Sequence, residues 1–323
     1  NFFLEYSPAS TNLQAFYVGI VNTLIVAITG IFFASVLGLI VGISRLSNNY
    51  LIRKMATVYI EVFRNIPILL QILFWYSIAL SVFPSPKNSI SFFDSIFLNS
   101  RGLYLPRPIA DDGLYFVLAS LIIGIVGYIF VKKRSDKKHD ETGVVTNTIP
   151  YFLGLVLLLP AAVYFVAGVQ LDYPVLKGFN FRGGVDLSIE FFSLAFALSI
   201  YTATYIAEAI RSGIESVDNG QKEAASAMGL TQTQSLRLVV LPQALRVAIP
   251  PIINQYLNLT KNSSLAAAVG YTELVTIFSG TVLNVVGQAI EIIILTMLVY
   301  LAISLVISLI LNIFNKKMQI KGK

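Results

Sequence analysis

Between two long apolar runs, residues 215–242 form the polar stretch ESVDNGQKEAASAMGLTQTQSLRLVVLP. Its pattern predicts two short helices. Asp218 is placed to cap the amino end of the first helix, and Gly229 suits the left-handed residue that ends it. Thr231 opens a second capping-box pattern, and Pro242 suits the first turn of the following helix. The stretch therefore predicts a chain that leaves an apolar layer, makes two short helices across its face and re-enters it.

The first of these helices is predicted to expose Ala224, Ala225 and Ala227 beside Glu223. Small side chains allow another protein to approach the backbone closely, and Glu223 offers a charge to an arginine or lysine opposite. The alternative is a helix that lies on lipid, which needs bulky apolar anchors and a basic polar face. Because this helix has neither, the pattern favours a protein-docking site.

The composition indicates a membrane protein. Of the 323 residues, 56% are hydrophobic and 12% are charged, with a mean hydropathy of +0.75, whereas soluble domains carry roughly 25% charged residues. The net charge of +6 comes from short basic blocks between apolar runs, which favours topology signals over nucleic-acid binding. With no cysteine and one histidine, His139, disulfides and the usual zinc sites are excluded.

Seven segments are apolar enough to cross a bilayer, since a helical span needs about 20 such residues. They are residues 17–43, 58–83, 114–131, 149–169, 189–210, 243–260 and 287–314. An eighth candidate, 265–283, is interrupted by polar residues and glycines. A full crossing there would place the terminal lysines outside, so this segment is predicted to be a short helix or re-entrant turn on the outer side.

The distribution of lysine and arginine predicts the orientation, because basic loops are retained in the cytoplasm. One set of alternate connections holds Arg45, Arg53, Lys54, Lys132, Lys133, Arg134, Lys137, Lys138, Arg211, Lys222, Arg237, Lys316, Lys317, Lys321 and Lys323. The opposite set holds far fewer basic residues. We therefore expect the amino terminus outside and the carboxyl terminus inside.

Residues 84–186 are predicted to be an insertion. Polar loops flank two spans joined by the charged hairpin KKRSDKKHDE, and those spans carry few polar residues. We expect the two inserted helices to face lipid at the periphery of an all-α integral membrane protein.

A resemblance to a known family rests on the fixed spacing of residues 223–242. Glu223, Ala224 and Ala225, then Gly229, then Leu241 and Pro242 closely resemble the EAA loop of ABC importer permeases, EAA-x3-G-x9-I-x-L-P, from which only Val239 departs. In that family the loop is the coupling helix that sits in a cleft of the ATP-binding subunit. The resemblance implies that the coupling residues are Gly220, Glu223, Ala224, Ala225, Gly229 and Pro242.

Further motifs are similar to the polar amino acid subfamily. They are Asn22, Thr23 and Leu24, RLS at 45–47, EVFRNIPILLQ at 61–71, YIAEAIRSGI at 205–214 and KNSSLA at 261–266. The insertion and FLNSRGL at 97–103 resemble the larger general L-amino acid permeases. The implied fold is a type I ABC importer transmembrane domain over residues 1–323, with five core helices, the two inserted helices at 84–186 and the coupling loop at 215–242.

Ionisable residues beside spans are costly in a bilayer and therefore tend to face a partner or a path. Glu61 and Arg64 are spaced to pair with each other, and structural pairing and a path role remain open alternatives. Glu208 and Arg211 favour a structural clamp or inner gate over ligand contact. Glu273 is assigned to the same group of gate or structural residues.

The predicted substrate path lies around KNSSLA. Pro250 and Pro251 are expected to break the sixth span and to free backbone groups for a ligand. Helix capping by the same motif is the alternative. Family resemblance also implicates RNIPILLQ, so the predicted path residues are Arg64, Asn65, Ile68, Gln71, Lys261, Asn262, Ser263 and Ser264. Because Asn262 is neutral, broad specificity for L-amino acids is expected.

The sequence has no GxxxxGK[ST] phosphate loop, no HExxH and no nucleophile elbow, which argues against an enzyme. A secondary transporter or channel often shows paired repeats and has no use for a coupling helix. A structural subunit whose partner alone binds substrate remains open. The resemblance implies that a separate ATP-binding subunit dimer binds ATP and magnesium, that a second, homologous permease subunit completes the membrane domain, and that a periplasmic amino acid binding protein delivers substrate for alternating access across a bacterial inner membrane.

Overall fold

The computed structural model describes residues 11–109, 111–142, 146–283 and 287–318. They fall into two compact units. The first holds the described residues of Asn1–Phe83, Ser100–Gly102 and Leu187–Lys323, and the second holds those of Pro84–Asn99 and Leu103–Asp186. The predicted positions of the two chain ends, 1–10 and 319–323, lie outside the described residues.

The first unit is a bundle of helices of different lengths. They are α1 (Asn12–Arg45), α2 (Tyr50–Asn65), α3 (Ile68–Val82), α7 (Ile189–Glu215), α8 (Asn219–Ala227), α9 (Gln232–Ser235), α10 (Leu241–Asn262) and α11 (Ala289–Met318). A 3-10 turn, Ser263–Val269, follows α10, and a π-helical turn, Thr276–Val282, precedes α11. In the described part of the whole chain, six helices are long and apolar enough to span a bilayer, or seven if α2 and α3 count as one bent span.

The second unit mixes helices with short strands, so the all-α prediction was wrong. Its helices are α4 (Asp112–Thr142), α5 (Ile149–Phe152) and α6 (Leu159–Val166), the last two joined by a π-helical turn, Leu153–Leu158. The strands are β1 (Ile90–Phe92), β2 (Ile96–Asn99), β3 (Gly102–Leu105), β4 (Arg107–Pro108), β5 (Leu171–Asp172), β6 (Val175–Lys177), β7 (Asn180–Arg182) and β8 (Val185–Ser188).

Short runs of β-branched and aromatic residues between turns explain these strands. They form a four-stranded sheet in the order β1-β2-β3-β8 and two antiparallel pairs, β4-β5 and β6-β7. The predicted polar loops around two spans are therefore paired strands. The helix predicted at 114–131 is also longer, because the lysine- and glutamate-containing residues that follow continue it as far as Thr142.

The span predicted at 58–83 is not straight. α2 and α3 meet at an angle of 104° across Ile66 and Pro67. Proline disfavours a helical conformation in the residue before it, and Ile66 accordingly has extended dihedrals, φ −93° and ψ 131°. The sequence therefore specifies a sharp bend at this point.

The predicted break at Pro250 and Pro251 was wrong. Both prolines lie inside α10, which continues through them. In membrane helices, neighbouring groups and local adjustments can satisfy the backbone groups that proline frees. The second short helix is not separate either, because α9 continues into α10 through a π-helical turn, Leu236–Val240, to give one helix of 38 residues, Gln232–Val269.

The centre of the first unit is the packing of α1 against α7. A β-carbon at Gly38 would lie 2.7 Å from the side chain of Ile206, and one at Gly42 would lie 3.0 Å from the carbonyl oxygen of Ala207. Glycine at these two positions lets the helix backbones approach closely, as small residues do in membrane helix pairs. Around this contact a continuous apolar core includes Val26, Ala34, Ile72, Leu194, Leu198 and Leu259.

Candidate functional site

The ends of α8 form as the sequence predicts. Asp218 Oδ1 accepts a hydrogen bond from the Gly220 backbone N–H at 2.6 Å, and Gly229 takes a left-handed conformation with φ +77°. Thr231 and Gln234 form the complete capping box at the start of α9. Local side-chain chemistry therefore fixes the geometry of residues 215–242, which we call the EAA segment.

One face of the EAA segment is exposed and carries mostly small side chains. Glu223, Ala224 and Ala227 are exposed, but Ala225 is only 3% exposed, so its predicted exposure was wrong. α8 packs against the π-helical turn that follows α9, and Ala225 lies on the buried side of the helix. Met228 is 79% exposed at the end of α8. The pairing of small residues with one glutamate and one methionine gives a surface that another protein can cover.

Exposed bulky apolar side chains also follow α8 in the chain. Leu236, Leu238 and Leu241 are all exposed. Neither these leucines nor Met228 was among the predicted site residues, although bulky apolar residues within a polar stretch can be recognised from the sequence.

Ion pairs connect the end of α1 to the end of α7. Glu208 pairs with Arg45 of α1 and, at 2.6 Å, with Arg211 on its own helix. Arg211 also pairs with Glu215. The predicted pairing of Glu208 with Arg211 is therefore present. The pairing of Glu208 with Arg45 was not predicted, because the two residues are 163 positions apart in the sequence.

The residues that lead into the α2–α3 bend are paired locally. The Arg64 guanidinium lies 3.6 Å from the Glu61 carboxylate. Asn65 Nδ2 donates to the Glu61 carbonyl oxygen at 2.7 Å. Ile68, at the start of α3, packs against the apolar core of the first unit.

Gln71 holds the bend itself. Its Nε2 donates to the carbonyl oxygens of Phe63 at 2.8 Å and Ile66 at 2.9 Å, two acceptors released where α2 ends. The Gln71 side chain is 4% exposed, and its Oε1 has no hydrogen-bond partner among the described residues. The opposite amide orientation would set Oε1 against two carbonyl oxygens, so this assignment follows from the network.

The KNSSLA motif is arranged differently from the prediction. Lys261 is exposed, and the hydroxyls of Ser263 and Ser264 donate to the carbonyl oxygens of Thr260 and Lys261. These two hydroxyls are used within their own helical turns. Asn262, which makes no side-chain capping bond, faces a cavity.

That cavity, which we call the polar cavity, lies between α7 and α10 and has a volume of about 260 Å³. Its lining residues are all polar and uncharged: Tyr201, Thr202, Tyr205, Gln255, Asn258 and Asn262. The hydroxyls of Tyr201 and Tyr205 lie 3.0 Å apart. Among the predicted path residues, Asn262 lines the polar cavity. The other five lining residues were missed: Gln255 and Asn258 lie on the same helix as Asn262, and the remaining three lie on α7, which is distant in sequence.

Glu273 lies in a buried polar cluster between the spans. Its carboxylate accepts hydrogen bonds from the backbone N–H groups of Val275 and Thr276, both at 2.8 Å, and from the Tyr300 hydroxyl at 2.9 Å. Burial raises the pKa of the Glu273 carboxyl, and these donors act in the opposite direction. Glu273 therefore fixes the start of the turn before α11 to the α11 helix.

The α1 motif noted in the sequence supports the same region. Asn22 Nδ2 donates to the Thr272 carbonyl oxygen, and Thr23 Oγ1 accepts from the Leu274 backbone N–H. Residues 270–276 are thus held by side chains from two neighbouring helices.

Comparison with known families matches residues 30–320 to the model described as "Binding-protein-dependent transport system inner membrane component". The chain belongs to this family. It is therefore a membrane-spanning permease and a transport component rather than an enzyme, and the predicted inner-membrane location is confirmed.

Curated relatives refine the comparison. The chain is 48% identical over 319 residues to the putative amino-acid ABC transporter permease protein YhdX of Escherichia coli strain K12, covering 98% of this chain and 81% of that protein. It is 50% identical over 319 residues to the general L-amino acid transport system permease protein AapQ of Rhizobium johnstonii, covering 98% and 80%. The resemblance stated from the EAA pattern is confirmed.

Solved structures support the fold. A crystal structure of an amino acid ABC transporter with histidines matches 94% of this chain and 94% of its own chain, with a TM-score of 0.55 and 19% identity. An inward-facing MetNI methionine ABC transporter matches 96% and 100%, with a TM-score of 0.55 and 14% identity. The helical arrangement is that of an ABC importer membrane domain.

Proposed function

We propose that this chain is the permease subunit of an ATP-binding-cassette importer of the general L-amino acid type. Family membership and full-length similarity to two amino acid permeases support this function. ATP and magnesium bind to a separate pair of ATP-binding subunits, and a periplasmic binding protein delivers the substrate. A second, homologous permease subunit completes the pathway.

The observation that carries the substrate assignment is the polar cavity. An amino acid zwitterion needs donors for its carboxylate and acceptors for its ammonium group, and side-chain amides and hydroxyls provide both. The volume of the polar cavity is just below the range of about 300–1,000 Å³ that is typical of sites for drug-sized ligands. This volume suits a smaller solute. Because the lining carries no formal charge, it favours contacts with the backbone groups that all amino acids share. A broad range of amino acid substrates follows.

The path predicted from the sequence meets this cavity at Asn262. The predicted path residues on α2 and α3 are proposed to shape the route through the α2–α3 bend. They are Arg64, Asn65, Ile68 and Gln71.

The experiment replaces Gln255 with leucine and measures amino acid uptake by the assembled importer in proteoliposomes. Gln255→Leu removes both a donor and an acceptor from the lining, and uptake is expected to fall at least tenfold, because a polar site loses much of its affinity when one partner is removed. Asn254→Leu, at the exposed neighbouring position on the same helix, is the matched control and should retain uptake. Equal uptake by the two variants would remove the cavity from the substrate path.

We further propose the orientation expected from the basic residues, with the amino terminus outside and the carboxyl terminus inside. Five core helices then carry transport, and residues 84–186 form an insertion with two extra transmembrane helices, α4 and the helix that spans α5 and α6. The division of the chain into two compact units near Phe83 and Leu187 supports this insertion.

In this orientation the EAA segment faces the cytoplasm. Glu223, Ala224, Ala227 and Met228 form the surface on which an ATP-binding subunit docks. Gly220, Ala225, Gly229 and Pro242 set its backbone shape. The pairs Arg45–Glu208 and Glu208–Arg211 then connect the docked segment to α1 and act as a structural clamp close to the inner side.

A further inference from the structure

The hairpin of β1 and β2 has an unusual tip. Phe92 pairs with Ile96, and the Ser95 backbone N–H donates to the Phe92 carbonyl oxygen at 3.2 Å, which closes a four-residue turn. Its two central residues, Phe93 and Asp94, have φ angles of +52° and +50°. Both residues therefore have a left-handed backbone, a conformation that glycine and asparagine adopt most readily.

Phe93 occupies a strained backbone position and gains little from packing against the rest of the fold. A bulky residue with positive φ is a conformational outlier, and Phe93 is 95% exposed. Phe92 beside it is about half exposed. Backbone strain of this kind is found at functional sites, where the surrounding structure holds a residue for a purpose other than stability. An aromatic ring held at a rigid tip is typical of an anchor for a binding partner.

The chemistry of the hairpin favours a protein over a lipid surface. Loops that anchor at a membrane interface use Trp, Tyr, Lys and Arg. The hairpin sequence, ISFFDSI at 90–96, contains none of these and places the Asp94 carboxylate beside Phe93. The family to which the chain belongs is defined by dependence on a binding protein.

We propose that Phe93 is a docking anchor that inserts into an apolar pocket on the soluble binding protein as it delivers substrate. This inference rests on the proposed function and orientation, which place residues 84–108 on the outer side. Phe93 acts on delivery of the loaded binding protein and takes no part in binding the amino acid itself.

The test uses the double variant Phe93→Asn with Asp94→Gly, which puts at the two left-handed positions residues that adopt this conformation readily. ATP hydrolysis by the complete importer in proteoliposomes is measured against the concentration of amino-acid-loaded binding protein. The concentration for half-maximal stimulation is expected to rise about tenfold or more, as for loss of an interface anchor. Thermal unfolding of the variant complex is expected at the same or a higher temperature, because the turn is relieved of strain.

Two further variants separate anchoring from general damage. Phe93→Trp keeps a large aromatic ring and is expected to keep the wild-type concentration dependence. Phe179→Ala removes another exposed phenylalanine, 77% exposed at a different turn of the same unit, and is also expected to leave it unchanged.

An unchanged half-maximal concentration in the double variant overturns the inference. Quenching by brominated lipid in the absence of binding protein is compared between Phe93→Trp and the wild type, whose single tryptophan is Trp75. Quenching beyond that of Trp75 also overturns the inference, because the tip would then lie in the membrane. If wild-type complexes hydrolyse ATP equally with and without binding protein, the proposed function fails first, and that result is distinct from a defect confined to the tip.

Discussion

At the scale of single residues, Gln71 is the group on which the α2–α3 bend depends most directly. Its two hydrogen bonds satisfy the carbonyl oxygens of Phe63 and Ile66, which have no helical partner next to Pro67. We expect Gln71→Leu to lower the free energy of unfolding by about 1–3 kcal/mol, because two buried acceptors lose their donor. Thermal unfolding of the purified protein in detergent, followed by the fluorescence of Trp75, measures the change.

Ser77→Ala is the control for this prediction. Ser77 lies on the same helix, is exposed, and its hydroxyl bonds only to the Leu73 carbonyl oxygen, so its loss should change the unfolding temperature little. A Gln71→Leu protein as stable as the Ser77→Ala protein would show that the bend is held by packing alone.

Residue-scale features were predictable where they depend on nearby residues. Asp218, Gly229 and the Thr231 capping box follow from sequence spacing, because each cap involves groups at most three residues apart. The role of Gln71 was not predictable, since its partners lie across a proline bend. The burial of Ala225 was also missed, because it depends on a turn more than ten residues later in the chain.

At the scale of elements, the contact of α1 with α7 positions both the polar cavity and the stem of the EAA segment. Gly38 lies where any side chain would meet Ile206. We expect Gly38→Val to destabilise the protein by about 1–3 kcal/mol, because overpacking forces neighbouring groups to shift. A loss of folded, monodisperse protein in detergent, or a lower unfolding temperature, measures this effect.

Gly154→Ala is the matched change. Gly154 lies in a helical segment of the second unit, and a β-carbon there meets no atom within 4 Å. Alanine should therefore be tolerated at this position. The importance of helix approach at Gly38 would be refuted by a Gly38→Val protein that unfolds at the same temperature as Gly154→Ala.

Element predictions succeeded where a long apolar run specifies a helix, as in α1 and α7. They failed where the pattern is short or local rules conflict. The polar loops predicted within the 84–186 insertion were not recognised as strands, because strands of two to four residues leave little periodicity. Pro250 and Pro251 were expected to break a helix, since their effect in water is stronger than in a packed membrane bundle.

At the scale of the whole molecule, the account depends on the EAA segment as the contact with an ATP-driven motor. The candidate substrate site shows why sequence spacing alone was insufficient. Asn262 was predicted and Gln255 on the same helix was not, while Tyr201 reaches the same cavity from α7, which is distant in sequence. In the proposed docking surface, the exposure of Glu223, Ala224 and Ala227 was predicted, because these residues lie within one short segment with fixed spacing.

The most direct measurement is amino acid uptake by the reconstituted importer, with and without ATP, for wild type, Glu223→Lys and Gln221→Lys. Both variants add a lysine to an exposed position on α8, but only the first reverses the charge beside Ala224. The account predicts ATP-dependent uptake by wild type and Gln221→Lys, and a loss of at least tenfold in Glu223→Lys with less ATP-binding subunit retained on purification. Uptake by the wild-type chain at full rate without ATP or an ATP-binding subunit would contradict it.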